Sequence, residues 1–404
     1  MLFSHFKLKK IIFFIYFSMF THFSYAHHVP LSISDDFAEK RISEHFSYFI
    51  DRHTLALGID EISKQSFSEI PYKRHILNFD FINFNYSEKT VWLKFEVNIE
   101  KALSNKEFFL EIKSPLLDQI EFYHYSDGAW HGQVTGGHYP LRKRLFAYRT
   151  YVFDIKPMPS QTNTYYLKIT TSDMMTVYPI LYERETFIKT ALNEQMGFGI
   201  LYGLLAAILG INLIFAFLYK KVIYNLFIAV IAIGIFIIVR INGHSYIYLW
   251  AGVPWWENRA LPMFILVFVI LLSLFGYRLL NKAIERFFYR LIVFNIVISS
   301  VAFIITLFNP SSWIISTATC IGLFNVLALF LISVYEILRG EKENKYFVTA
   351  SYLFFIGVLL TFFRFFEIIE TNSFLGSYGF EIGFIAFVSL ATVSLQMRRK
   401  QGQI

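Results

Sequence analysis

The chain has 404 residues, 55% hydrophobic and 19% aromatic but only 17% charged, a balance that excludes an ordinary soluble domain and makes a multi-pass membrane protein the default. Divided at residue 195, Lys plus Arg equals Asp plus Glu in the first part (22 of each) and exceeds it 15 to 8 in the second, so the whole net charge of +7 belongs to the second part. Those cations lie in short loops between apolar runs rather than on one folded face, which excludes nucleic acid as a partner.

Lys7, Lys9 and Lys10 precede the apolar run Ile11 to Phe20 and the small-x-small pattern Ser24-Tyr25-Ala26. This is the order of a secretory signal peptide over residues 1–26, the alternative being an uncleaved N-terminal anchor, and it places the mature N-terminus outside the cytoplasm. The only cysteine, Cys320, falls in a later apolar run. The exported segment therefore has no intramolecular disulfide and must be held by its own core.

From about His45 to Glu183 apolar residues recur with period two, the mark of half-buried strands. Val91, Leu93, Phe95, Val97 and Ile99 alternate with Trp92, Lys94, Glu96 and Asn98, and the same alternation returns around Leu110, Phe122, Phe153 and Leu167. Turn signals such as Ser126-Asp127-Gly128 separate the runs, so residues 27–185 are expected to form an all-β, jelly-roll-like sandwich. Its polar faces are rich in aromatic residues with cations nearby. Trp92, Tyr123, Tyr125, Trp130, Arg142 and Arg149 are the candidate ligand-binding residues, because flat aromatic faces with a few hydrogen-bonding groups suit a saccharide or a similar polar ligand. For Trp92 the alternative is packing beneath a loop, and for Arg142 a solvated turn. Residues 186–195 read as a linker.

Seven apolar runs fill residues 196–397: 196–219, 222–240, 260–280, 288–308, 313–336, 347–366 and 376–397. Alternate loops carry the cations Lys220 and Lys221, Arg278 to Arg290, Arg339 to Lys345 and Arg398 to Lys400. The positive-inside rule places these in the cytoplasm, which agrees with the signal peptide and with an odd number of spans. The expected location is a bacterial inner membrane, with a periplasmic N-terminal domain and a cytoplasmic C-terminus. Beyond His138 the only histidine is His244, and beyond Asp173 there is no aspartate. This leaves no ligand set for a metallohydrolase, no aspartate pair for an intramembrane protease and no lysine in the seventh run for a retinal Schiff base. No cofactor, no metal and no enzymatic activity are expected. The polar residues Arg364, Glu367 and Glu381 lie at or near membrane depth. They form a candidate ion-pair set, Arg364 with Glu367 or Glu381, near the extracytoplasmic mouth, the alternative being that Arg364, Glu367 and Glu370 snorkel to the interface.

Several ordered motifs resemble one family. They are Thr90-Val91-Trp92-Leu93-Lys94-Phe95, Pro115-Leu116-Leu117-Asp118, Ile120-Glu121-Phe122-Tyr123, Thr164 to Ile169, Gly199 to Gly203, Asn212, Asn242-Gly243 and Glu381-Ile382-Gly383. Together they resemble the bacterial seven-transmembrane receptors with diverse intracellular signalling modules (7TMR-DISM), of the kind with a type 2 extracellular domain. The resemblance implies that a ligand outside, with carbohydrate-like molecules among the candidates, drives a conformational change through seven helices into a fused output module. Here residues 398–404 are too few for such a module. Either the output comes from a separate cytoplasmic partner or the chain is a truncated gene product; the expected partners are an extracytoplasmic ligand, membrane lipid and a separate cytoplasmic signalling protein. The alternative is a transporter or membrane-assembly subunit whose exported domain docks a substrate or partner.

Overall fold

The alternating segments become strands because each can turn an apolar face inward and leave a polar face out. The computed structural model describes residues 23–25, 30–51, 57–73, 81–86, 89–100, 103, 106–159, 161–172, 174–251, 253–280, 286–308, 312–338, 345–365 and 374–402. Of the leader expected over residues 1–26, only Phe23–Tyr25 is among them, as a short strand paired with Pro71–Lys73. Besides a two-stranded ladder of Ile82–Tyr86 with Met174–Val177, two larger sheets follow, made from β1 (Leu31–Ile33), β2 (Glu39–Arg41), β3 (Ser47–Asp51), β4 (Ser68–Glu69), β5 (Thr90–Ile99), β6 (Phe108–Ile112), β7 (Gln119–Ser126), β8 (Ala129–Thr135), β9 (Tyr151–Ile155), β10 (Thr162–Thr170) and β11 (Pro179–Glu183).

The larger sheet runs β8-β7-β10-β5-β3-β4, and β1 joins it in parallel along the second half of β5. The smaller runs β9-β6-β11-β2. Val91, Leu93, Phe95, Phe122 and Leu167 from the first meet Phe108, Leu110, Ile112 and Phe153 from the second in one buried core. The result is a sandwich of two open sheets.

Every residue of β6 is buried, including those that point away from that core. The cover comes from the helix that follows β11. Phe187 packs edge-on against Phe109, Tyr148 and Tyr182, all on the outer face of the smaller sheet. This helix, α1 (Arg184–Tyr219), has 36 residues, about 54 Å at 1.5 Å per residue and well beyond the roughly 30 Å of a bilayer core. Residues 186–195, expected as a linker, are thus its first turns. They hold neither Gly nor Pro to interrupt it, and Phe187 anchors them to the sheet. The strand passes into the first span without a hinge.

The remaining long helices are α2 (Val222–Ile241), α3 (Pro254–Leu280), α4 (Arg286–Phe308), α5 (Ser312–Leu338), α6 (Lys345–Phe365) and α7 (Phe374–Lys400). With α1 they make seven helices among the described residues long and apolar enough to cross a membrane. Small residues and polar ties hold them, as expected where lipid weakens the hydrophobic drive between helices. Gly234 of α2 leaves the space that the Phe384 ring of α7 fills. Asn212 of α1 donates to Thr392 Oγ1 of α7 at 2.9 Å, and Asn325 of α5 to Ser273 Oγ of α3 at 2.6 Å. The closest approach is between α6 and α7, where a Cβ on Gly357 would strike the Gly379 carbonyl and lie 2.9 Å from Gly383 Cα.

Since backbone cannot swing away, Gly357→Ala should destabilise the bundle by about 1–3 kcal/mol. Gly203→Ala, with nothing within 4 Å of the added carbon, should be neutral. Thermal unfolding of the two detergent-solubilised variants checks this, and an unshifted midpoint for Gly357→Ala would contradict the close helix contact.

Candidate functional site

Two places gather polar and aromatic groups: the outer face of the larger sheet, and the joint between sandwich and bundle. On the sheet, register places Tyr125 opposite Trp130, Tyr123 opposite Gly132 on one side and Tyr166 on the other, and Lys168 opposite Trp92. Side chains on one face of neighbouring strands then meet as a row. Trp92 stacks on Tyr123 at 5.7 Å, while Trp130 meets Tyr166 edge-on at 5.4 Å and Tyr125 at 5.1 Å. Gly132 permits this, because a Cβ there would come 2.8 Å from the Tyr123 ring.

The row is graded in depth. Trp92 is fully buried beneath Tyr123 and the one-turn helix Ile59–Ile62, so it supports the surface without presenting one. Tyr123 and Trp130 are half-buried, and Tyr125 is 54% exposed. Around them lie hydrogen-bonding groups: the Tyr123 hydroxyl donates to Glu121, whose carboxylate also holds Lys168 at 3.3 Å. Arg142 stands exposed on the 3-10 turn Leu141–Lys143, whereas its neighbour Arg144 is buried. Of the six candidate residues the structure gathers Trp92, Tyr123, Tyr125 and Trp130. It takes Arg149 elsewhere.

Arg149 lies at the joint, 6% exposed, and its Nη2 donates to Glu194 Oε2 of α1 at 2.6 Å. The Tyr148 hydroxyl donates to the same oxygen at 2.9 Å, and Lys113 pairs with the other carboxylate oxygen. Burial works against the guanidinium charge, but the Glu194 carboxylate more than offsets it and holds the Arg149 pKa above its ordinary value. Behind this group Thr150 donates to Glu111 at 2.6 Å, and burial raises the Glu111 pKa. One turn after Glu194, the Phe198 ring lies 5.1 Å from the Arg149 guanidinium carbon.

The loop after α2 closes the joint from the bundle side. Gly243 has φ +78°, and a Cβ there would lie 2.5 Å from Pro115 Cβ and 2.8 Å from the Arg149 carbonyl oxygen. Only glycine meets both demands. His244 shares a 2.8 Å hydrogen bond between its Nδ1 and the Tyr202 hydroxyl and packs edge-on against Phe198. Burial, reinforced by Arg149, lowers its pKa to about 4, with Glu194 opposing. Nearby, Arg144 lies between the Tyr151 and Tyr246 rings, and the Tyr246 hydroxyl donates to the Tyr139 carbonyl. Leu116 of the sandwich packs on the bundle core.

Asn242 extends the network into the bundle, donating to Glu381 Oε1 of α7 at 2.9 Å. Glu381 is buried there. Of the residues expected to pair with it, Glu367 and the side chain of Arg364 lie outside the described residues. A second buried pair, Arg240 with Glu257 at 3.3 Å, ties α2 to α3, and Trp250 donates to the same carboxylate at 2.6 Å. Sequence reasoning missed Glu194, Lys113 and the Arg240–Glu257 pair. The available signal was a glutamate placed directly before an apolar run that follows a strand without Gly or Pro.

The membrane half matches the family model described as 7TM diverse intracellular signalling over residues 194–398, and the sandwich matches 7TMR-DISM extracellular 2 over residues 43–183. The chain belongs to the 7TMR-DISM family. It is a multi-pass transmembrane receptor with an extracellular sensor domain. No curated protein and no solved structure matches it. In this 7TMR-DISM receptor the sensor domain and the 7TM domain meet at Glu194, the first position of the matched membrane region.

Glu194→Gln leaves Arg149 buried without its counter-charge and should destabilise the full-length receptor by about 3 kcal/mol. The double variant Arg149→Met/Glu194→Leu, which removes both charges, should recover most of that loss in thermal unfolding. Equal losses in the two variants would show that the pair is not coupled.

His244 gives a pH signature. Its docked-state value of about 4 lies below the ordinary 6.5, so the docked state binds fewer protons than an undocked one. Its contribution to docking is complete above pH 6.5 and is lost as pH falls towards 4. The groups facing it are Tyr202, Arg149 and Glu194, and Glu111 titrates with the opposite sign. The comparison is therefore with His244→Gln, whose melting temperature should fall less between pH 7 and pH 4.5. Parallel pH profiles would remove His244 from the linkage.

Proposed function

We propose that this receptor reads a saccharide-like polar ligand on the aromatic row of the larger sheet and passes occupancy through the Arg149–Glu194 joint into α1. Supporting the first step is the combination of exposed Tyr125 and half-buried Trp130 with the Glu121–Lys168 pair beside them, an apolar platform with fixed hydrogen-bonding groups at its edge. The observation that carries the second step is the unbroken passage from β11 into a 36-residue helix. A shift of the sandwich is a shift of α1, because no flexible linker lies between them.

In this reading the helices transmit and do not catalyse. Ligand binding acts only through its different affinity for two arrangements of the joint. The receptor sits in a bacterial inner membrane with the sandwich in the periplasm. Lys220, Lys221, Arg278, Arg286, Arg290, Lys345 and Arg398 to Lys400 fall in loops or helix ends on the bundle side away from the sandwich, which supports a cytoplasmic placement of that side. The same basic surface suits a separate cytoplasmic signalling protein as listener.

The test is a titration of the full-length receptor in detergent with a panel of neutral and acidic oligosaccharides, read by thermal shift. At least one should stabilise it, and Tyr125→Ala and Trp130→Ala should each weaken that binding by about tenfold, in line with the loss of one stacking contact. No stabilisation by any member, or binding indifferent to both variants, would falsify the platform assignment. Solute flux in reconstituted vesicles would instead favour a transporter.

A further inference from the structure

The hairpin that carries Tyr125 and Trp130 has a second face. Strand β7 turns into β8 through Asp127 and Gly128, at φ 53° and 80°, and the register beyond that turn sets His124 directly opposite His131. Tyr125 and Trp130 are one step nearer the turn and belong to the outer face, so the two histidines share the inner one. There the His124 ring stacks on Phe122 of the core and lies 5.4 Å from the His131 ring, with 25° between the two planes. His124 is half-buried and His131 exposed, at the margin where β8 is the edge strand of the larger sheet.

Neither imidazole has a hydrogen-bond partner among the described residues, so the nitrogens of both rings are available. Burial, reinforced by His131, holds the His124 pKa below its ordinary value, and the neutral imidazole is the form that ligates metal. The spacing suits a single ion. With a Zn–N bond of about 2.0–2.1 Å each ring centre lies about 3.2 Å from the metal, so two imidazoles on one tetrahedral ion have centres about 5.2 Å apart. Across the margin stands Asp154 of β9, next to the Phe153 ring that stacks on Phe122, and its carboxylate favours a positive charge at His124. Lys156 opposes it, but its side chain is 79% exposed and is itself paired with Asp154 at 3.0 Å.

We propose that His124 and His131 bind one zinc ion across the hairpin, with two of its four positions open. No group of three or more His, Cys, Asp or Glu among the described residues is arranged to hold a metal ion, so water or the oxygens of a bound molecule complete the tetrahedron. The ion ties the edge strand β8 to β7 and so fixes the register that sets Tyr125 beside Trp130 on the other face. Its binding does not depend on what the aromatic row reads, so either assignment stands or falls without the other.

Full-length receptor in detergent, prepared without a polyhistidine tag and stripped with EDTA, is titrated with zinc and followed by calorimetry and thermal unfolding. Zinc should bind with an equivalence point at one ion and raise the melting temperature, whereas magnesium, which takes oxygen ligands, should do neither. His131→Gln should weaken zinc by at least about tenfold, since loss of even an outer-shell partner of a metal ligand costs about 10–100-fold. His131 is exposed, so this variant keeps the fold, and His124→Gln should show the same loss. Cobalt in place of zinc should give the intense visible bands of a tetrahedral ion in the unaltered receptor and lose them in His131→Gln. Absence of zinc binding would leave the two rings as an ordinary stacked pair and overturns the proposal. So does zinc binding that both variants leave unchanged, which would place the ion at others of the 11 histidines, or a cobalt spectrum that is octahedral throughout.

Discussion

The receptor is organised around one carboxylate. Glu194 sits on α1 three turns past the last strand and takes Arg149 and Lys113 from the sandwich on its two oxygens. A charge at such a place is tolerable only if it is matched, and the matching fixes the height and rotation of the helix against the smaller sheet. Phe187 then falls onto Phe109 and Tyr148, and Phe198 onto Arg149 and His244. The loop Asn242-Gly243-His244 can approach Pro115 because the helix behind it is held at that height.

Much of the fold was legible because it follows from period and length. Alternation in β5 announced which residues face the core, and seven apolar runs of adequate length announced the bundle. The failure at residues 186–195 has a physical reason. A polar stretch between a strand and a span looks like a linker when only hydropathy is considered. Absence of Gly and Pro, together with Phe187 at a position that faces the outer side of the sheet, makes it helix. The polarity that disguised it as a tether is what the joint uses.

The candidate sites divide in the same way. Tyr123, Tyr125 and Trp130 could be placed on one face from alternation within adjacent strands, so their gathering followed from local pattern. Trp92 has the same parity but lies on a central strand beneath a one-turn helix, and parity alone does not reveal what covers a face. The joint was invisible because its members are far apart in the chain: Lys113 and Glu194 are separated by 81 residues and Asn242 and Glu381 by 139. Spacing rules act within an element and cannot foresee which loop will meet which helix. Gly379 and Gly383, by contrast, form a small-xxx-small pair that marks the α6 contact from sequence alone.

These features together define where the molecule is stiff and where it can change. Upstream, β11 and α1 move as one piece, and the Phe187 cluster leaves no slack between them. Downstream, α7 meets α6 through backbone at Gly357 and Gly379 and departs from helical geometry at Tyr378, with φ −121° and ψ 19°. That irregular turn lies three residues before Glu381, the carboxylate that Asn242 ties to the joint. A rigid input and a locally irregular output helix, linked by Asn242 between them, confine a conformational change to the interface and to the top of α7. Packed cores switch between discrete arrangements and do not deform gradually. The glutamate pair at positions 194 and 381 therefore marks the two ends of the element that has room to switch.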